Sequence, residues 1–303
     1  MNLHHLSVFH AVSQTHSLTA AGEKLLIGQP AVSAQLKLLE RSLGTTLVER
    51  LPRGVRLTEA GTVLADYAAR IFKLADDATA AVKDLDGLRR GRLIVGASPT
   101  IGVYFLPPLL VHFTRRFPGL DLQMEIEEST VLQQRLNDGL LDLALTPTAP
   151  DSPLLDSAKF MDDQFVAVAA PDHALSKHRR VSPETLASSF IARALPSRTG
   201  SLVASYFTRL GISARPRLSL ASIEAVKQAV IAALGVTIIS KLAASPELAN
   251  NRLVALKVPG LPLVTPVFAV RLRNRPPSKA AIAFGCLLRH AVRGTLPKKI
   301  RET

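Results

Sequence analysis

Between residues 27 and 43 the apolar and polar positions separate cleanly. Val32, Leu36, Leu39 and Leu43 recur at helical spacing and form an apolar stripe. Gln29, Ser33 and Lys37 stand four residues apart on a different side and carry only polar groups. Pro30 suits a first helical turn, where its missing N–H costs nothing. The pattern predicts a helix that packs by its leucines and offers Gln, Ser and Lys outward. Thr19–Leu26, with Thr19 placed as its cap, and a connector at Ile27-Gly28 supply the other half of a helix-turn-helix. Such a helix suits a DNA major groove; taken alone, it also describes an ordinary surface helix.

Neighbouring segments extend the unit. Leu3, Leu6, Phe9 and Val12 outline a first helix, and Gly44 stops the third. Leu47–Leu57 reads as two short strands around Pro52-Arg53-Gly54, a hairpin tipped with arginine. Residues 1–58 therefore read as a winged helix-turn-helix. From 59 to 87 a long helix is expected, capped by Thr58, with Glu59 at the positive end of its dipole. Ala60, Leu64, Tyr67, Ile71, Leu74, Ala78, Ala81 and Leu85 keep an unbroken 4-3-4-3 spacing. That spacing fits a coiled-coil seam or one amphipathic helix lying on a globular domain.

Beyond Leu88 the texture changes to alternating strands and helices, the mark of α/β architecture with mostly parallel strands. Strands are expected at 92–97, 122–126, 141–145, 165–169 and 236–240. Helices are expected from Thr100 to Phe117 and at 131–137, 203–210, 223–234 and 278–289.

Several spaced words now fall in order: Phe9-x-Ala-Val12, Ser17-Leu-Thr-Ala-Ala21, Gln29-Pro-Ala-Val-Ser33, Leu38-Leu-Glu40, Leu43-Gly44, Glu49-Arg50 and Leu57-Thr-Glu-Ala-Gly61. With them the chain resembles the LysR-type transcriptional regulators, over nearly its whole length. It departs from the family pattern at Gly22 (usually Ala), Gly28 (usually Ser or Thr) and Val48 (usually Phe). Gly28 removes a hydroxyl that could meet a phosphate.

The resemblance implies a DNA-binding regulator with a winged helix-turn-helix, a dimerising linker helix and a two-lobed effector domain like periplasmic solute-binding proteins. Homodimers pairing into tetramers are the family habit. Lobe I would hold about 91–161 and 268–303, lobe II about 162–267. Gln29, Pro30, Ser33, Ala34 and Lys37 would face the major groove. Gln can pair with adenine, Lys with guanine, and Ser with base or phosphate. Arg53 at the wing tip would hold phosphate or enter the minor groove, with Arg50 and Arg56 less firmly placed. Arg50 could equally form a salt bridge with Glu49 or Glu40. Strand ends and helix starts attract anions in such folds. There Ser98, Thr100, Thr146 and Thr199, followed by Ser129 and Ser222, with Arg198 beside Thr199, are the candidate effector-binding residues. The ligand expected is a small anion, a carboxylate or phosphate metabolite. Each hydroxyl taken singly also reads as a plain helix cap.

Composition adds limits. The 303 residues hold one cysteine, Cys286, which excludes an internal disulfide and fits the cytoplasm. No apolar run reaches membrane-spanning length, and the N-terminus lacks signal-peptide order. The net charge of +13 is unevenly placed: residues 1–60 carry only +2, whereas 181–270 carry +6 and 271–303 carry +8. Lys298–Arg301 reads as a solvated tail, or as an aid to nonspecific DNA affinity. Catalysis and a cofactor are not expected. The histidines are scattered, metal-site spacings and phosphate-loop words are missing, and Asp162-Asp163 reads as a loop carboxylate pair. Cys286 reads as a helix-packing thiol. The contrasting hypothesis is a solute-binding protein or enzyme with the N-terminal helices as a docking module. It predicts ligand affinity or turnover without specific DNA binding.

Overall fold

A computed structural model of the chain describes residues 1–51, 54–83, 91–194 and 197–292. Its N-terminal part builds α1 (Leu3–Thr15), α2 (Leu18–Leu25) and α3 (Gln29–Leu43), then the hairpin strands β1 (Val48–Arg50) and β2 (Val55–Leu57). Leu6, Phe9, Val12, Val32, Leu36 and Leu39 close into one core, each worth about 1.5–3 kcal/mol on burial. Two local expectations are corrected. Ser17, not Thr19, caps α2, its Oγ accepting from the Ala20 N–H at 3.3 Å. Leu43 leaves the stripe and stays exposed, just before Gly44 turns the chain with φ 68°. At Gly22 a Cβ would stand 2.6 Å from the Ile27 carbonyl oxygen. The missing side chain lets the α2–α3 turn close.

Helix α4 (Glu59–Lys83) opens on Thr58, whose Oγ1 accepts from the Gly61 N–H at 3.0 Å. Its heptad positions divide. Ala60, Leu64 and Ile71 pack on the winged-helix core, while Tyr67 and Leu74 are 56% and 67% exposed. Ala81 and Leu85 lie outside the described side chains. Buried Lys73 reaches Asp142 at 3.9 Å and Arg70 reaches Asp138 at 3.8 Å, which docks α4 on the domain that follows.

That domain runs β3 (Gly91–Ala97), a π-helical turn at Ile101–Phe105, α5 (Leu106–Arg116), β4 (Leu120–Ile126), α6 (Ser129–Asn137), β5 (Leu143–Thr146) and β6 (Leu155–Ala169). It continues through α7 (Pro183–Ser188), β7 (Ile191–Arg193), α8 (Arg198–Arg209), β8 (Leu218–Leu220), α9 (Ile223–Ile231) and β9 (Thr237–Ser240). It closes with α10 (Lys241–Ala249), β10 (Val254–Leu256), β11 (Leu263–Leu272) and α11 (Lys279–Val292). The main sheet has the order β10-β6-β11-β5-β3-β4, with β9 also on β6. Strand β3 runs parallel to β4 and β5. Strands β6 and β11 run antiparallel to each other, β5 pairs antiparallel with β11, and β9 and β10 pair antiparallel with β6. The expectation of mostly parallel strands is therefore corrected to a mixed sheet. The cause is the two long strands, which carry the chain from one lobe to the other and back.

At one end, Leu155–Lys159 lies opposite Phe268–Leu272 beside β5. At the other, Phe165–Ala169 pairs with β9 and β10. A register shift between Val267 and Phe268 bends the ladder where it crosses. Each lobe keeps its own core, around Leu93, Phe113 and Phe284 in one and Phe190, Phe207 and Ile238 in the other. Two more expectations change. Asp162 and Asp163 lie within β6 rather than in a loop, and Cys286 is exposed on α11, its Sγ accepting from Arg289 at 3.0 Å. Lys298–Arg301 lies outside the described residues.

Candidate DNA-reading surface and effector cleft

Burial of Val32, Leu36 and Leu39 fixes which way α3 faces. Gln29, Pro30, Ala34 and Lys37 are exposed along its other side, and Ser33 is half-buried. Gly28 is the N-cap, with φ −68°, ψ 147° and no side-chain cap bond. Arg50 donates from its guanidinium to the Ser33 Oγ. That replaces the expected alternative of a bridge to Glu49 or Glu40. Glu49 instead holds Arg56 through Nε and Nη2 at 3.1 and 2.6 Å. The Glu40 carboxylate accepts from the Leu47 N–H at 2.8 Å and ties α3 to the wing. Arg50 and Ser33 thus present one joint polar group, whereas Arg56 is engaged within the hairpin. Arg53 lies outside the described residues.

The second site lies between the lobes. Ser98 leaves β3 with its N–H on the Leu145 carbonyl at 3.0 Å, and Thr100 opens the π-helical turn. From the other lobe, Ser197 caps α8 by accepting from the Gly200 N–H at 3.0 Å, which places Arg198 and Thr199 in the first turn. Ser98, Thr100, Arg198 and Thr199 line one cleft, together with Glu128, Asp163 and Arg193. Its enclosed volume is only about 50 Å³. The Arg198 guanidinium crosses it to the Pro147 carbonyl at 3.5 Å. The remaining candidates lie elsewhere. Thr146 is fully buried, its hydroxyl on the Thr148 carbonyl at 2.8 Å. Ser129 begins α6 and is absent from the cleft lining, where its neighbour Glu128 stands. Ser222 is exposed and caps α9, accepting from the Ala225 N–H at 3.0 Å.

Three charged cleft residues escape sequence reading: Glu128, Asp163 and Arg193. Asp163 is 5% exposed and accepts from the Ser240 Oγ at 2.8 Å. Burial pushes its carboxyl up to about 6, although the Ser240 hydroxyl and the Gln164 N–H pull the other way. Arg193 ends β7, and its only sequence signal is a cation closing the apolar run Phe190-Ile-Ala192.

A second set of charges joins the lobes. Tyr104 of the π-helical turn donates to Glu224 of α9, and burial together with that carboxylate raises its phenol well above the usual range. Lys227, 2% exposed, reaches Glu224 and Glu247 at 2.9 Å each and lies over the Tyr104 ring at 4.7 Å. Burial pushes the Glu224 carboxyl up, but the hydrogen bonds from Tyr104 and Lys227 and the lysine's charge leave it lowered.

Comparison with known proteins matches residues 3–62 to the bacterial regulatory helix-turn-helix proteins of the LysR family, and residues 86–293 to the LysR substrate binding domain. The chain belongs to the LysR family. It is therefore a DNA-binding transcriptional regulator whose two-lobed domain senses a small molecule. The RuBisCO operon transcriptional regulator of Allochromatium vinosum is 35% identical over 94% of each chain. Full-length OxyR from Pseudomonas aeruginosa, in a cysteine-to-aspartate variant, superposes with a TM-score of 0.73 over 95% of this chain and 98% of its own, at 22% identity. That likeness concerns the fold. The regulatory domain of Synechocystis CcmR, solved in complex with 2-PG, is 26% identical, with a TM-score of 0.61 over 67% of this regulator and 98% of that chain. Among the described residues, no helix is long and apolar enough to cross a membrane.

Proposed function

We propose that this regulator binds a small phosphorylated or carboxylated metabolite between its lobes and controls a carbon-fixation operon in response. The observation that carries the ligand reading is the meeting of Ser98 and Thr100 from one lobe with Arg198 and Thr199 from the other. Hydroxyls, first-turn amides of α8 and a guanidinium together suit an oxyanion. The A. vinosum relative supports the operon, and CcmR with 2-PG supports the ligand class. The narrow cleft implies that the lobes part to admit the ligand. The same reading covers a cytoplasmic protein that is not an enzyme, uses no resident cofactor and acts as a homodimer pairing into a homotetramer. Exposed Val63, Tyr67 and Leu74 on one side of α4 support a dimer through that helix. The proposed division is 1–58 for the DNA-binding domain, 59–87 for the linker and 88–303 for the effector domain. The Val267/Phe268 register shift supports a lobe boundary there.

The test is thermal unfolding of the full-length protein with 2-phosphoglycolate, followed by gel shift on the DNA upstream of the gene with excess nonspecific competitor. Ligand at about a hundred times its dissociation constant should add roughly 2.7 kcal/mol, and Thr100→Val or Arg198→Ala should remove most of it. No stabilisation by 2-phosphoglycolate, or an unchanged response in both variants, would reject the cleft assignment. Turnover or ligand binding without a specific DNA complex would support the solute-binding or enzyme reading instead.

A further inference from the structure

Beside the interlobe cleft lies a second cavity, wholly within one lobe and much larger. Its volume is about 330 Å³ against about 50 Å³ for the cleft, at the lower end of what small-molecule sites occupy. Phe190, Val203, Phe207 and Ile238 form buried apolar walls, with the Phe190 and Phe207 rings edge to face at 5.2 Å. Ala204 and Pro216 are exposed at its mouth, so solutes reach it without parting the lobes.

One cation lines the chamber. Arg193 lines both this chamber and the cleft, and its Nε is buried without an acceptor among the described residues. The neighbouring Thr237 hydroxyl is already committed to the Ile191 carbonyl at 2.8 Å. A buried donor on a charged group is costly to leave unmet, and an anion is what meets it. The mostly apolar walls rule against a purely polar anion, because a phosphate or dicarboxylate would lose hydration there without replacement.

We propose that this chamber is a second ligand site, separate from the cleft, for a small monocarboxylate of about four to six carbons with an apolar body. The carboxylate meets Arg193 in a charge-assisted hydrogen bond, and the carbon chain lies between Phe190, Val203, Phe207 and Ile238. Because Arg193 and Thr199 belong to both cavities, occupancy of the chamber alters what the cleft offers to its own ligand.

Calorimetric titration of the full-length protein tests this with butyrate, pentanoate, hexanoate and hexan-1-ol. One saturable site per chain is expected, tightening about fourfold for each added methylene, with the alcohol about tenfold weaker than hexanoate because it brings no charge to Arg193. Arg193→Gln should weaken hexanoate by about tenfold. Ala204→Phe, which blocks the mouth from an exposed helix position, should do the same while leaving 2-phosphoglycolate binding as in the parent. No saturable hexanoate binding in the millimolar range overturns the proposal. So does binding that competes with 2-phosphoglycolate and ignores Ala204→Phe, since the carboxylate then sits in the cleft. The proposal does not rest on the cleft reading: hexanoate can bind when 2-phosphoglycolate fails, and the reverse.

Discussion

Helix α3 and the interlobe cleft, the two proposed ligand surfaces, are built on opposite plans. The polar face of α3 comes from one unbroken run, Gln29 to Lys37, backed by Val32, Leu36 and Leu39. The cleft gathers residues near 98, 163, 193 and 198 from elements that only the crossing strands bring together. A surface built locally keeps its geometry wherever its domain moves. One built across two lobes exists only at one lobe angle, and here that angle leaves about 50 Å³ of space. The Tyr104–Glu224 hydrogen bond and the lysine beside it join the lobes from a separate pair of elements. The proposed DNA-reading face is set by one helix and its core, and the cleft is set by what holds its lobes.

The largest effect should come from removing the support of the local surface. Leu36 is 2% exposed, and Leu36→Ala should cost about 2–5 kcal/mol in urea unfolding of the N-terminal transition. Operator affinity should fall with it, while binding of 2-phosphoglycolate persists. Loss of both together would mean that the two regions unfold as one unit and that the contrast is wrong.

Next comes Asp163, the buried charge of the non-local site. Its folded carboxyl titrates near 6 rather than at 3.8, so the neutral form is favoured by folding. That favour is fully present below about pH 3.8 and is lost as pH rises through 6. At pH 7 the ionised form is a burden on the order of 3 kcal/mol. Asp163→Asn, which keeps an acceptor for the Ser240 hydroxyl, should therefore be more stable than the parent at pH 7. The difference should shrink towards pH 4 when melting curves are compared. A stability difference that stays constant over that range would show that Asp163 does not titrate as its burial requires.

The same contrast explains what can be read from the chain alone. The α3 stripe, the Gly44 stop and the heptad run of α4 are short-range patterns, and each appears in the sequence as spacing. The departures there are small: a cap shifted from Thr19 to Ser17, and Leu43 left outside the core. Within the sensor, strands β3 and β9 are legible as apolar runs and β4 as an apolar–polar alternation, but pairing over a hundred residues is not. Nothing in Leu155–Ala169 marks it as a strand through two lobes, so Asp163 looks like part of a loop. Arg193 escapes notice because a lone cation after three apolar residues looks like a strand end. Its role depends on α8 and β9 packing around it. Ser129 and Ser222 match helix starts correctly, yet a helix start is not a cleft.

A smaller effect is expected where α3 is proposed to meet DNA. Gln29→Ala and Lys37→Ala remove exposed side chains with no role in the core, so folding should be unchanged. Operator affinity in a gel shift should drop on the order of 1 kcal/mol for each. The Gln29 change should relax base preference, and the Lys37 change should also flatten the salt dependence if its partner is a phosphate. Unaltered affinity and base preference in both would remove α3 as the reading helix.

The smallest and sharpest test is Gly28→Ser. The N-cap has φ −68° and ψ 147°, a backbone any residue adopts, and it makes no side-chain cap bond. An added Cβ would approach only the Pro30 Cδ, at 3.6 Å, so the substitution brings no clash. A serine hydroxyl there can accept from a first-turn N–H, which should stabilise the domain by a few tenths of a kcal/mol in thermal unfolding. If the local plan holds, that gain stays in the DNA-binding domain, and the same hydroxyl can also reach a phosphate beside the groove. Operator binding should then tighten slightly, with no change in ligand response. A changed affinity for 2-phosphoglycolate would show that the start of α3 is coupled to the lobes through α4, where Lys73 meets Asp142. The local surface would then be less independent of the sensor than its construction suggests.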